Sequence, residues 1–145
     1  MRLSLEHIRL VRESYARIDD FDRFADAFYA SLFDRDPRFA DLFKRSHMKE
    51  QQKMFARALT LLVDHIDQKE FLPPYLRGLG TMHSAFGVDA SYFNTFADCL
   101  IDALETTVGN AFSKDHRSAW RHALAYFFRF MRQGTATQFD ETLDA

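Results

Sequence analysis

Apolar residues return at steps of three and four through almost the whole chain, the spacing of one face of an α-helix. Little interrupts it. Only 5 glycines and 3 prolines punctuate 145 residues, too few for the turns that a β-sandwich or barrel demands. The spacing therefore predicts an all-α chain of about seven helices. Its length is that of one domain, and 47% hydrophobic residues, 16 of them phenylalanine, supply a single core.

The first helix is expected from about Ser4, a candidate N-cap, with Leu5, Ile8, Val11, Tyr15 and Ile18 on one face and a stop near Asp19 and Asp20. A second begins near Asp20 and carries two adjacent rows, Phe21/Phe24/Phe28/Leu32 and Ala25/Tyr29/Phe33, which predicts burial on two sides. Pro37 suits the first turn of a short helix running to Phe43, and Lys44 to His47 reads as a polar loop. From about Met48 a long helix puts Gln51, Phe55, Leu59, Leu62 and Ile66 on one stripe. Pro73 and Pro74 begin or precede the next helix, whose stripe is Leu72, Leu76, Leu79 and His83 and which Gly87 ends. Asp89 can cap a helix through Val108 bearing Phe93, Phe96, Leu100 and Leu104. Ser113 can cap the last, with Trp120, Leu124, Phe127, Phe128 and Met131. The domain is read as residues 1–133. Residues 134–145 form a polar tail with lone Phe139 and Leu143, expected to fray or dock loosely.

Several function classes are excluded early. Net charge is −2 with both signs interspersed, so no basic field exists to hold nucleic acid or anionic lipid. The opening stretch, MRLSLEHIRLVRES, contains no continuous apolar run that could serve as a signal peptide or membrane span, and the chain is expected in the cytoplasm. Cys99 is the single cysteine, which rules out an internal disulfide and a thiolate metal cluster; a reduced, buried thiol is expected. No Ser/His/Asp motif, Gly-rich phosphate loop or Glu-x-x-His pair is present.

What stands out instead is three polar residues on apolar stripes: Tyr29, Gln51 and His83. Singly, each has an ordinary explanation. Tyr29 can be a core tyrosine with its hydroxyl at the rim, Gln51 an exposed first-turn residue, and His83 a core histidine bonded to a carbonyl.

Taken in order, the stretches FYASLF (28–33), DPRFADLF (36–43), QQKMF (51–55), LLVDHID (61–67), GLGTMHSAFGV (78–88) and SKDHRSAW (113–120) resemble the bacterial single-domain globins and the globin half of flavohaemoglobins. The resemblance runs from about residue 4 to residue 133. It implies a globin fold around one haem pocket, with haem b (iron protoporphyrin IX) as cofactor. By position, it implies that His83 is the proximal iron ligand and that Phe43 wedges against the porphyrin. Tyr29 and Gln51 match the distal tyrosine and glutamine. Phe55 stands where the family usually has a ligand-contacting leucine, which is expected to narrow the pocket. On a helix the Nδ1–H of His83 can reach the Leu79 carbonyl, which fixes the tautomer and leaves Nε2 for the metal.

The expected function is reversible binding of dioxygen, nitric oxide or carbon monoxide, for oxygen transport or nitric oxide scavenging. Three other readings stand beside it: a nitric oxide dioxygenase served by a separate reductase, a gas or redox sensor acting through a partner, and a haemless interaction module. Against the flavohaemoglobin pattern, the tyrosine and glutamate that back the proximal histidine are matched here by Phe93 and Thr135, with Tyr92 one residue early and so turned by about 100°. His83 is accordingly expected to be a less electron-rich ligand. The chain also ends where flavin and nicotinamide domains would begin, hence the separate reductase. His47, Lys53 and Met54 lie near enough in sequence to Gln51 to compete for the iron, while His7, His65, His116 and His122 read as solvated helix-surface residues.

Overall fold

The computed structural model describes residues 3–43, 47–85 and 87–144, with side chains described as far as Thr135. Seven α-helices follow one another: α1 Leu5–Ala16, α2 Phe21–Arg35, α3 Pro37–Leu42, α4 Met48–Asp64, α5 Leu72–Ala85, α6 Phe93–Val108 and α7 Lys114–Asp144. Single 3₁₀ turns at Ala90–Tyr92 and Gly109–Ala111 flank α6. Ser4 and the start near Asp20 are as the sequence predicts, and Asp36 adds a cap before Pro37. Ser4 accepts from the His7 amide, Asp20 from Arg23, and Asp36 from Arg38 with Pro37 in the first turn. Gly87, at φ +87°, takes the left-handed conformation that ends α5. Asp89 then receives the Ser91 amide and starts the turn into α6. The loop expected after Phe43 falls mostly on residues 44–46, outside the described residues.

Double burial of α2 follows from its two apolar rows. Phe24, Phe28 and Leu32 on one row and Ala25 and Tyr29 on the other are all buried, with α6 packed against the helix on one side and α3 and α4 on others. Trp120 of α7 sits at the centre of the core with no exposure. Its indole Nε1–H donates to Ser14 Oγ at 2.7 Å, and that hydroxyl donates onward to the Leu10 carbonyl at 2.8 Å. This short relay docks α1 on α7.

A second α1–α7 link departs from expectation. His116, read from sequence as a surface residue, is buried, and its Nε2–H donates to Glu13 Oε1 at 3.0 Å while Nδ1 accepts the Ser113 amide at 3.0 Å. The signal was available. His116 lies one turn before Trp120 and so belongs to the same buried stripe.

The end of α7 also departs from expectation. The helix does not stop near Met131 but runs through Gly134 to Asp144. Gly134 is buried against α5 at a point where the two backbones come close: a Cβ there would lie 1.9 Å from the Arg77 carbonyl oxygen. The residue marks a close approach, not a helix end.

Ser14→Ala leaves the buried Trp120 N–H without an acceptor, and the expected cost is about 1–3 kcal/mol. Denaturant unfolding should show a lower midpoint at an unchanged slope, and an unchanged midpoint would contradict this account of how α1 docks.

Candidate functional site

Tyr29 is the only residue of the candidate set that is almost fully buried, 4% exposed. Its ring is caged by phenylalanines from α2, the end of α3 and α4. Phe28 lies 5.2 Å away, Phe43 5.5 Å and Phe55 5.7 Å between centroids, all edge to face. Phe55 in turn stacks flat on Phe28 at 4.5 Å and 7°, and Phe96 from α6 meets both rings edge-on. Three residues singled out from the sequence, Tyr29, Phe43 and Phe55, therefore share one aromatic cluster. Phe28 and Phe96 belong to it as well, but on their stripes nothing distinguished them from ordinary core.

Gln51, one turn before Phe55 on α4, is half-buried and close enough to the Tyr29 phenol to act on it. Burial pushes that phenol up to about 12, against the opposite pull of Gln51. The hydroxyl is thus protonated at neutral pH and able to donate.

His83 is half-buried on α5, and its Nδ1–H donates to the Leu79 carbonyl at 2.7 Å. A carbonyl can only accept, so the proton resides on Nδ1 and Nε2 keeps the free lone pair. Among the described residues no group bonds Nε2. The turn after it is tied by the Val88 amide, which donates to the His83 carbonyl at 2.9 Å. α5 packs on α7, whereas α4 packs on α1 and α2, and the described residues of α4 and α5 make no extensive contact with each other. Phe43, Gln51, Phe55, Leu79, His83 and Phe96 are half-buried, in contrast to the sealed Phe24, Phe28 and Leu76.

The positions compared above with the flavohaemoglobin acid and tyrosine are occupied otherwise. Phe93 stacks on Phe128 at 4.5 Å, and the Thr135 hydroxyl donates to the Met131 carbonyl of its own helix. Tyr92 packs on Phe39, with the Arg38 guanidinium 4.1 Å above its ring. Neither Tyr92 nor Thr135 bonds His83. Lys53, Met54 and His47 stand at the surface of α4 or its first turn, and Cys99 is buried, its thiol pushed up by desolvation.

The sequence profile of the Globin family matches residues 26–131. The chain belongs to the globin family. A flavohemoprotein of Halalkalibacterium halodurans is 26% identical over 98 residues, 66% of this globin, which spans only 24% of that relative's length. Neuroglobin of Chaenocephalus aceratus is 24% identical over 129 residues, covering 80% of this globin and 81% of the neuroglobin. Among solved structures, an engineered carbene transferase from Rhodothermus marinus superposes with a TM-score of 0.85 at 23% identity, over 97% of this globin and 99% of that chain. A Pseudomonas aeruginosa protein described as highly homologous in structure to human hemoglobin gives 0.80 at 21%, over 89% and 98%. These likenesses carry the fold.

Family membership implies a haem site, and the residues present fit one. A flat apolar cofactor needs apolar walls, which Phe43, Phe55, Phe96 and Leu79 provide, and an iron ligand of the right protonation state, which the His83 tautomer provides. Among the described residues there is no rival group of three or more His, Cys, Asp or Glu side chains able to hold a metal, and no helix long and apolar enough to cross a membrane.

Tyr29 and Tyr15 are both pushed up to about 12 by burial. A phenol whose folded pKa exceeds its unfolded value of about 10 stabilises the fold below pH 10, and that stability is lost as pH rises through 12. Tyr29→Phe should flatten the fall in folding free energy between these two pH values by removing one contributor, leaving those of Tyr15 and the more weakly raised Tyr75. An alkaline slope identical to that of the unsubstituted protein would show that Tyr29 is not held as described.

Proposed function

We propose that this globin binds haem b (iron protoporphyrin IX) through His83 Nε2 and reversibly takes up dioxygen and other diatomic gases on the face lined by Tyr29 and Gln51. The observation that supports this most directly is the pairing of a buried, protonated phenol with a half-buried amide inside a cage of phenylalanines, opposite in role to an imidazole of fixed tautomer. A globin core has no packing need for two convergent polar groups. Haem, when bound, supplies an iron at which a small gas is held and acquires partial negative charge.

The chain's own residues do the rest. Phe43, Phe55 and Leu79 contribute apolar surface and keep water from the cofactor. Phe55, held flat against Phe28, limits the space beside Tyr29 to small ligands. The Tyr29 O–H and the Gln51 amide N–H act as donors to a ligand carrying negative charge, an interaction worth about 1.5–3 kcal/mol for each such bond. His83, bonded through Nδ1 to a carbonyl and not to a carboxylate, remains a neutral ligand, which favours reversible binding over cleavage of the ligand. The same site, supplied with electrons by a separate reductase, suits nitric oxide scavenging, in which nitric oxide, dioxygen and one electron give nitrate.

Tyr29→Phe should accelerate dioxygen release by roughly ten- to a hundredfold, the equivalent of about 1.5–3 kcal/mol. Carbon monoxide release should change far less, since that ligand carries little negative charge. Gln51→Leu should act in the same direction but more weakly, and the double variant should be less than additive because the two side chains are neighbours that act on the same ligand. Stopped-flow release rates for both gases decide the matter. Equal effects on both would mean that these residues act by bulk, and no effect on either would remove them from the ligand site.

A further inference from the structure

We propose that Gly134 and Thr81, neither of which faces the ligand site, are positioning residues that set where α5 holds His83. The proposal rests on the reading of His83 as the iron ligand.

The contact between α5 and α7 is made at backbone level, and it is reciprocal. A Cβ on Gly80 of α5 would lie 1.9 Å from the Met131 carbonyl oxygen of α7, and a Cβ on Gly134 of α7 would lie 1.9 Å from the Arg77 carbonyl oxygen of α5. Each helix thus presents a carbonyl where the other carries no side chain. A glycine inside a helix costs about 1 kcal/mol relative to alanine, so two of them, facing each other's partner helix, work against the helices themselves. Close approach accounts for both.

Side chains pin the same segment. Thr81 Oγ1 lies 3.0 Å from the Gly134 carbonyl and 3.1 Å from the Arg77 carbonyl, so its one proton is shared between the two helices. Arg77 Nε donates to Gln133 Oε1 at 2.8 Å. Residues 77–81 of α5 are therefore fixed to α7. Leu79 lies in the middle of that segment, and its carbonyl receives the His83 Nδ1–H at 2.7 Å. The imidazole follows Leu79, and Leu79 follows α7. Since α7 is the helix against which α5 packs extensively, no other element of the described chain competes to set this height.

A methyl group at Gly134 must push α5 off α7 and carry His83 with it. At a reacting centre a displacement of about 1 Å is enough to alter rates by up to about a hundredfold. The measurement is the iron–histidine stretching band of the ferrous holoprotein, read by resonance Raman after photolysis of carbon monoxide, alongside thermal melting. Gly134→Ala is expected to shift and broaden the band. Thr81→Val, which removes the shared hydrogen bond without any overlap, is expected to shift it less, and Thr81→Ser to restore the original band.

A lowered melting temperature with an unmoved band in both Gly134→Ala and Thr81→Val would overturn the proposal, leaving the glycine contact a matter of stability alone. Should Gly134→Ala fail to fold, an unmoved band in Thr81→Val overturns it equally. A protein without substitutions that shows no such band would overturn the assignment of His83 itself, a distinct failure from variants that leave an existing band in place.

Discussion

Burying one phenol hydroxyl inside a wall of phenylalanine is the constraint around which the site is arranged. A hydroxyl taken out of water without a partner costs several kcal/mol, and the ring of Tyr29 is closed in by Phe28, Phe43 and Phe55. Gln51 is the polar side chain that acts on it. This requires α4 to lie across α2 with the right register, one turn separating the amide from the stacked ring of Phe55. Phe55 is itself flat against Phe28, which ties the wall beside Tyr29 to the core of α2.

On the other side the requirement is different in kind. His83 needs no charge partner, only a fixed tautomer and a fixed height. The Leu79 carbonyl provides the first, and the close seat of α5 on α7 provides the second. The positions at which flavohaemoglobins are expected to place a hydrogen-bonded tyrosine and glutamate hold Phe93, sealed against Phe128, and Thr135, bonded to its own helix. Nothing acidic among the described residues pulls on the imidazole proton.

Much of this was legible in the sequence because helix periodicity and caps are local signals. Ser4, Asp20, Asp36, Asp89 and Gly87 mark ends that depend on their own few neighbours, and each does so in the structure. The interruption of the Leu72/Leu76/Leu79 stripe by His83 was equally local. What stayed hidden depends on partners far along the chain. The burial of His116 follows from its place on the Trp120 stripe, but its bond to Glu13, about a hundred residues earlier, has no local signal. Polar composition from Gly134 onward predicts a loose tail, whereas the helix continues there, and the backbone contact that Gly134 makes with α5 has no local signal. Phe28 and Phe96 carry no local mark that separates them from ordinary core, yet Phe28 packs on Tyr29 and Phe96 on Phe28 and Phe55.

The central claim is that His83 Nε2 holds the cofactor while the aromatic cage contains it. Titration of haem into the apoprotein, followed by the Soret band, tests it most directly when done for the unsubstituted protein and for His83→Gly with and without added imidazole. The account predicts stoichiometric binding with a histidine-ligated spectrum in the first, a weakened and altered spectrum in the second, and recovery of the original spectrum when imidazole is added. A His83→Gly protein whose haem spectrum matches that of the unsubstituted chain before any imidazole is added would contradict it.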